Sequence, residues 1–127
     1  MTEHAELDLP LSARYATTVR AVAASMASTI SMSIDDIDDL RLGVNEAISV
    51  LTDLDDDAPT TGRLHVRFDL AADHIRVTVS RTGVEGQPTV EPDVLAERIL
   101  GAVVDEYSVD ESGAFLLVKQ VPADGDS

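Results

Sequence analysis

One stretch near the middle of the chain, residues 34–54 (IDDIDDLRLGVNEAISVLTDL), constrains the fold more than any other. Its apolar residues recur at steps of three and four, which places them on one face of a helix. These residues are Ile37, Leu40, Val44, Ala47, Ile48 and Leu51. Ser33 and Asp36 have the spacing of a capping box, and carboxylates in the first turn suit the positive end of the helix dipole. The pattern predicts a long amphipathic helix.

Glu46 lies roughly opposite that apolar face, because successive helical residues are about 100° apart. It is the candidate catalytic base of the chain, and the alternative is an ordinary carboxylate on a helix surface. Leu42 and Val50 stand one turn before and one turn after it. Apolar groups on this side predict that it is covered too, by a ligand, by a partner or by another part of the chain.

The composition suits a single domain over residues 1–121, followed by an acidic tail at 122–127. The chain has 127 residues and a formal net charge of −15. Such acidity argues against binding to nucleic acid or to anionic membranes, and it suits a basic protein partner or simple solubility. Cysteine is absent, which excludes disulfides and thiolate catalysis. No leader and no long apolar run is visible, so a cytoplasmic location is expected.

The remaining segments alternate between strand and helix patterns. The predicted strands are 6–11, 64–70, 75–80, 107–109 and 114–121, and the other predicted helices are 15–32 and 93–106. Pro10 favours an edge position for the first strand. In the last helix, the pattern turns Val94, Leu95, Ile99, Ala102 and Val103 toward the core. The order β-α-α-β-β-α-β-β predicts an α/β (α+β) two-layer sandwich, with three helices on one face of a mostly antiparallel or mixed sheet.

Metal and triad chemistry find little support in the sequence. The acidic loop 53–62 begins like a calcium loop, but Ala58 and Leu64 replace the glycine and the bidentate glutamate that such a loop needs. His4, His65 and His74 have no ligand spacing, so each is interpreted as a surface histidine and no metal site is predicted. No local Ser-His-Asp arrangement is present either.

The order of elements, together with DLRLGVNEA at residues 39–47, resembles the histidine kinase-like ATPase (GHKL) superfamily and its Bergerat ATP-binding fold. Within that superfamily the chain is similar to the anti-sigma regulatory factors. These are small cytoplasmic switch proteins of bacteria that sequester a sigma factor and phosphorylate an antagonist on serine. The segments 99–109 and AFLLVKQV at 114–121 also fit, so the resemblance covers roughly residues 7–121.

The resemblance implies three nucleotide motifs, and the first of them falls on the central helix. The family pairs a glutamate base with an asparagine four residues later, and the asparagine holds Mg²⁺ against the phosphates. Glu46 matches the glutamate, whereas Val50 stands at the asparagine position. A valine offers no oxygen to a hard cation. Asn45 points about 100° away from Glu46, which makes it a poor substitute.

The other two motifs also depart from the family pattern. Arg81 stands where an aspartate would accept from the adenine amine, and arginine has only donors. Gly83 matches the first glycine of that motif, and Gly86 comes one place late for the second, so both are weak candidates for cofactor binding. The glycine-rich lid should lie near residues 95–100, but LAERIL contains no glycine.

The family resemblance and the departures from its motifs leave three possible functions. The first is an anti-sigma-like regulator that binds a sigma factor, with no cofactor or with weakened Mg·ATP binding. The second is an active serine kinase or ATPase that uses Glu46 as its base and phosphorylates an anti-sigma antagonist. The third is a degenerate module that regulates a different protein. The family resemblance also allows a homodimer.

Overall fold

A computed structural model of the chain describes residues 3–53, 61–84 and 91–122. The elements are β1 (Glu3–Pro10), α1 (Ala16–Ser28), α2 (Ile34–Leu51), β2 (Arg63–Leu70), β3 (His74–Thr82), α3 (Val94–Val103), β4 (Glu106–Val109) and β5 (Phe115–Gln120). A short 3-10 turn, Ala13–Tyr15, leads into α1. The predicted order of strands and helices is therefore confirmed. Residue 54, most of the acidic loop and the end of the tail lie outside the described ranges.

The five strands form one antiparallel sheet in the order β1-β2-β3-β5-β4. The three helices and one face of this sheet enclose a hydrophobic core, which is mostly aliphatic but has Phe68 and Phe115 as its largest fully buried side chains. This is the two-layer α+β architecture expected from the sequence. β1 lies at an edge, as Pro10 predicts, although the strand begins at Glu3 rather than at residue 6.

Helix α2 begins as its capping pattern predicts, because the Ser33 side chain accepts a hydrogen bond from the backbone amide of Asp36. Its buried residues are Leu40, Gly43, Val44, Ala47, Ile48 and Leu51. Leu42, however, is 51% exposed. About half of the Leu42 side chain is therefore left uncovered by the described part of this chain. Of the three covers that the sequence pattern allows, a ligand or a partner at Leu42 stays a prediction.

Helix α1 ends at Ser28, four residues before the predicted end at residue 32. Near this end, the hydroxyls of Ser28 and Thr29 donate to backbone carbonyls three residues earlier. Ser31 then adopts a positive φ of 62°, which reverses the chain. The apolar pattern continues past this point because Met32 is buried beyond the end of the helix.

Helix α3 has the predicted cap but a different buried face. Asp93 accepts a hydrogen bond of 2.8 Å from the amide of Ala96. The prediction for Val94 and Leu95 is wrong, because they are 70% and 65% exposed, and Ala102 is exposed as well. The residues that reach the core are Ala96, Leu100 and Val103, at steps of four and three. The helix also stops at Val103 rather than at residue 106, because Val104 is extended.

The single lysine of the chain, Lys119, ties the sheet to the helices. It lies on β5 in a core-facing position and is only 8% exposed. Its Nζ donates to the carbonyl of Val103 at 3.0 Å, where α3 ends. It also lies 3.5 Å from carboxylate oxygens of both Asp36 and Asp39. This buried ammonium therefore links β5 to the end of α3 and to the first turns of α2.

Candidate functional site

The candidate base and the missing magnesium ligand lie on the same side of α2. Glu46 is half-buried and forms no ion pair within the described ranges. Val50, one turn later, is also half-buried and packs against the hydrophobic core. Glu46 and Val50 therefore offer one oxygen-bearing side chain between them, whereas the Glu and Asn of the family motif offer two.

Asn45, the neighbouring amide, is engaged elsewhere. Its Oδ1 accepts a hydrogen bond of 3.0 Å from Nη1 of Arg20 on α1. The same guanidinium donates to Thr17 through Nη2. The amide oxygen of Asn45 therefore serves the contact between α1 and α2, on a different side of the helix from Val50.

Arg81 occupies the core-facing register of β3, which runs through Ile75, Val77 and Val79. Its side chain therefore extends toward the helical layer, at the end of the strand that lies beside the C-terminus of α2. There, Nη1 donates a hydrogen bond of 2.9 Å to the carbonyl oxygen of Leu51. Leu51 is the last residue of α2, and terminal helix carbonyls lack partners within the helix. The guanidinium thus caps α2, and its charge suits the negative end of the helix dipole.

Gly83, the weak candidate for cofactor binding, has a local structural reason to be glycine. Its φ is +73°, in the left-handed region that favours glycine. A Cβ at this position would lie 2.9 Å from the carbonyl oxygen of Thr61. The turn after β3 accounts for this residue without a ligand. Gly86, the second candidate, lies outside the described residues.

The predicted lid position, residues 95–100, forms the first two turns of α3. Asp93 caps this helix, and Leu95 points outward. The helix N-terminus therefore begins with a carboxylate and apolar groups instead of glycines whose amides could face phosphates. The preceding loop, residues 85–90, lies outside the described ranges.

Taken together, these residues do not fit Mg·ATP. Magnesium needs oxygen ligands, and Val50 supplies none. An adenine amine needs an acceptor, and Arg81 is a donor that is already bonded to Leu51. Within the described part of the chain, no group of three or more His, Asp or Glu side chains is placed to hold a metal ion.

In those same ranges, no helix is long and apolar enough to cross a membrane.

The fold defines a class of protein, the two-layer α+β domain of the ATPase-like type, and in this chain Val50 and Arg81 depart from the nucleotide motifs of that class. The family model described as "Histidine kinase-like ATPase domain" matches residues 9–118, and the chain belongs to this family. A search of curated proteins finds "Serine-protein kinase RsbW" of Bacillus licheniformis, which is 30% identical over 81 residues. That match covers 64% of this chain and 51% of the relative, so the chain corresponds to about half of the relative's length.

A solved structure shows the same fold. It is the crystal structure of the RsbU and RsbW domains of Rv1364c from Mycobacterium tuberculosis, with a TM-score of 0.67 and 20% identity. The match covers 93% of this chain and 32% of that chain. These findings confirm the resemblance to the anti-sigma regulatory factors of the GHKL superfamily that the central helix predicts.

The sequence alone did not reveal what Arg81 and Lys119 do. The sequence indicates that Arg81 cannot accept a hydrogen bond from the adenine amine as an aspartate would. It does not indicate that Arg81 caps α2. For Lys119 a signal was available, since it follows Phe115 and Leu117 at the alternating core-facing positions of β5. A cation in that register predicts a buried partner, and the partners are the two aspartates of α2.

Proposed function

We propose that this protein is a regulator of the anti-sigma type that binds a protein partner and has lost Mg·ATP binding. The observation that carries the proposal is the hydrogen bond from Arg81 to Leu51. It places a cation bonded to the protein itself where a nucleotide-binding relative would present a carboxylate to the base. Val50, at the same end of α2, stands where the family has its magnesium ligand. The site therefore lacks an acceptor for the adenine amine at position 81 and an oxygen ligand for magnesium at position 50.

The acidic surface supports a protein partner with basic segments. The net charge of −15 speeds encounter with a cationic partner and disfavours nucleic acid. A sigma factor is the partner we propose, because the chain is related to "Serine-protein kinase RsbW" and shares the fold of an RsbW domain. An anti-sigma antagonist is the second partner class, and the proposed location is the cytoplasm.

The alternative, an active kinase with Glu46 as its base, draws on a single feature. Glu46 is half-buried and forms no ion pair in the described ranges, so no internal cation occupies its carboxylate. If nucleotide binding is lost, the Glu46 carboxylate is what remains of a former catalytic site. Glu46→Gln should then leave partner binding unchanged, whereas an active kinase would lose phosphate transfer on the same substitution.

The partner can be tested with purified components. The protein is immobilised and challenged with the individual sigma factors of its host, each measured with and without Mg·ATP. The proposal predicts that one sigma factor binds with a Kd that nucleotide leaves unchanged. Binding that requires Mg·ATP would contradict the lost nucleotide site, and failure of every sigma factor to bind would favour the regulator of a different protein.

A further inference from the structure

A groove runs along the outer edge of the sheet, beside the first turn of α3. It has a volume of about 380 Å³, and seven residues line it. Pro92, Tyr107 and Val109 are its apolar lining, and all three are half-buried. Around them stand four carboxylates, those of Glu91, Glu97, Asp110 and Glu111, and no cation. The groove lies at the margin of the hydrophobic core, against which Tyr107 and Val109 pack, and it shares only Glu97 with the predicted lid segment at residues 95–100.

Strand β4 leaves one edge of its backbone free at this groove. It is the last strand in the sheet order, so only β5 pairs with it among the described residues. The amide of Asp110 donates to the carbonyl of Ala114, which makes this a hydrogen-bonded pair of the ladder. Because such pairs alternate along an antiparallel ladder, the amides and carbonyls of Tyr107 and Val109 face the free edge.

The same two residues therefore offer both recognition features of an extended peptide. Their outward backbone groups can pair with an added strand, while their side chains line the groove on the helical side of the sheet. In an added strand, alternate side chains would point to that side, toward Glu97 on α3. Backbone bonds then provide affinity, and the groove selects the side chains.

The charge of the groove selects its occupant. In the ranges 3–53, 61–84 and 91–122, none of the four carboxylates forms an ion pair, whereas Asp69 on the open face is already paired with Arg67. Hydrogen bonds from the Ser112 hydroxyl and the Ala114 amide hold the pKa of Asp110 below its usual value, so this group stays charged at neutral pH. A second copy of β4 would bring the same carboxylates together, which disfavours self-association.

We propose that the free edge of β4 and the groove beside it dock an extended basic segment of a protein partner as an added strand. Arginine or lysine side chains at alternate positions of that segment face the four carboxylates, the side chains between them point to the open face of the sheet, and the backbone of the segment pairs with Tyr107 and Val109. This inference deepens the proposed function, and it rests on it for the idea that the chain acts by binding a protein.

The test uses the intact protein and a fluorescein-labelled, N-acetylated hexapeptide of alternating arginine and valine. Fluorescence anisotropy measures its Kd, and ¹⁵N amide shifts locate the contact. The Glu97→Gln/Glu111→Gln variant should weaken binding about five-fold, as expected for two exposed ion pairs. The matched control Glu3→Gln/Glu6→Gln carries the same charge change on β1, at the opposite edge, and should change the Kd by less than about two-fold because salt screens distant charges.

The backbone part of the proposal is tested without altering the protein. The same peptide, N-methylated at alternate residues, keeps its charge but loses donors on one edge, and it should lose binding. Amide shifts should centre on residues 107–109. Equal weakening by both double variants, unchanged binding after N-methylation, or absent binding of the hexapeptide would overturn the docking site. Those results would leave sigma-factor binding and nucleotide loss standing, since each is measured separately.

Discussion

The guanidinium of Arg81 donates a hydrogen bond of 2.9 Å to the carbonyl oxygen of Leu51, joining the end of β3 to the end of α2. A residue that spoils a nucleotide motif therefore has a structural function of its own. Relatives that keep an aspartate at this position cannot make that bond, because a carboxylate has no donor when ionised. Where the family motif has an acceptor, this chain therefore has a donor that caps a helix.

Arg81→Ala should destabilise the fold by about 1–2 kcal/mol, since a partly buried carbonyl loses a charged donor. Urea unfolding followed by circular dichroism measures this change. Arg76→Ala is the matched control, because Arg76 lies on the same strand but is exposed on the open face of the sheet. The control should stay within about 0.5 kcal/mol of the wild type. Equal effects of the two substitutions would count against the cap.

Gly83→Ala should destabilise the protein by about 1–3 kcal/mol, because the backbone there has φ +73° and a Cβ would meet the Thr61 carbonyl at 2.9 Å. Gly101→Ala is its control. Gly101 lies in α3 with no atom within 4 Å of the added Cβ, so alanine should stabilise the helix by about 0.5–1 kcal/mol. Thermal unfolding of both variants would show opposite shifts. A neutral Gly83→Ala would remove the local explanation for this glycine.

Lys119 should resist amine-reactive reagents in the native protein. Its ammonium is buried against the Val103 carbonyl and the carboxylates of Asp36 and Asp39. Because it is the only lysine, mass spectrometry after brief treatment with an N-hydroxysuccinimide ester should show modification at the terminal amine alone, and at Lys119 only in denaturant. Lys119→Arg serves as the control without a lysine. Equal labelling of both amines in the native state would show that the ammonium is exposed.

Asp110 should stabilise the turn between β4 and β5 in a pH-dependent way. Hydrogen bonds from Ser112 and Ala114 lower its pKa below the usual value for an aspartate. A depressed folded-state pKa adds stability that is present above the unfolded pKa and is lost as the pH falls through the folded pKa. Asp110→Asn should therefore be less stable than the wild type at pH 7, and the difference should shrink below about pH 3.8. A difference independent of pH would contradict this.

The sequence predicted the architecture because its hydrophobic periods are strong. The alternation in β2 and β3 and the steps of three and four in α2 each have one packing solution, and all appear as expected. The error in α3 has a physical cause. The helix carries two apolar patterns, one formed by Val94, Leu95 and Ile99 and the other by Ala96, Leu100 and Val103. Only packing against α2 and the sheet decides which of the two is buried.

The sequence predicts which family ligands are absent from the site, and this stays a prediction, whereas it does not predict the contacts that the replacing residues make. The residue types alone show that Val50 offers no oxygen to magnesium and that Arg81 offers no acceptor to the adenine amine. The bond from Arg81 to Leu51 joins residues 30 positions apart, so it depends on how β3 and α2 pack. The engagement of Asn45 by Arg20 is likewise a tertiary contact between two helices.

The most direct test of the central claim is calorimetric titration of the purified protein with Mg·ATP and with Mg·ADP. Loss of the magnesium ligand at Val50 and of the acceptor at Arg81 predicts no heat of binding up to millimolar nucleotide. A Kd in the micromolar range for Mg·ATP would contradict the account and would return Glu46 to the role of a catalytic base.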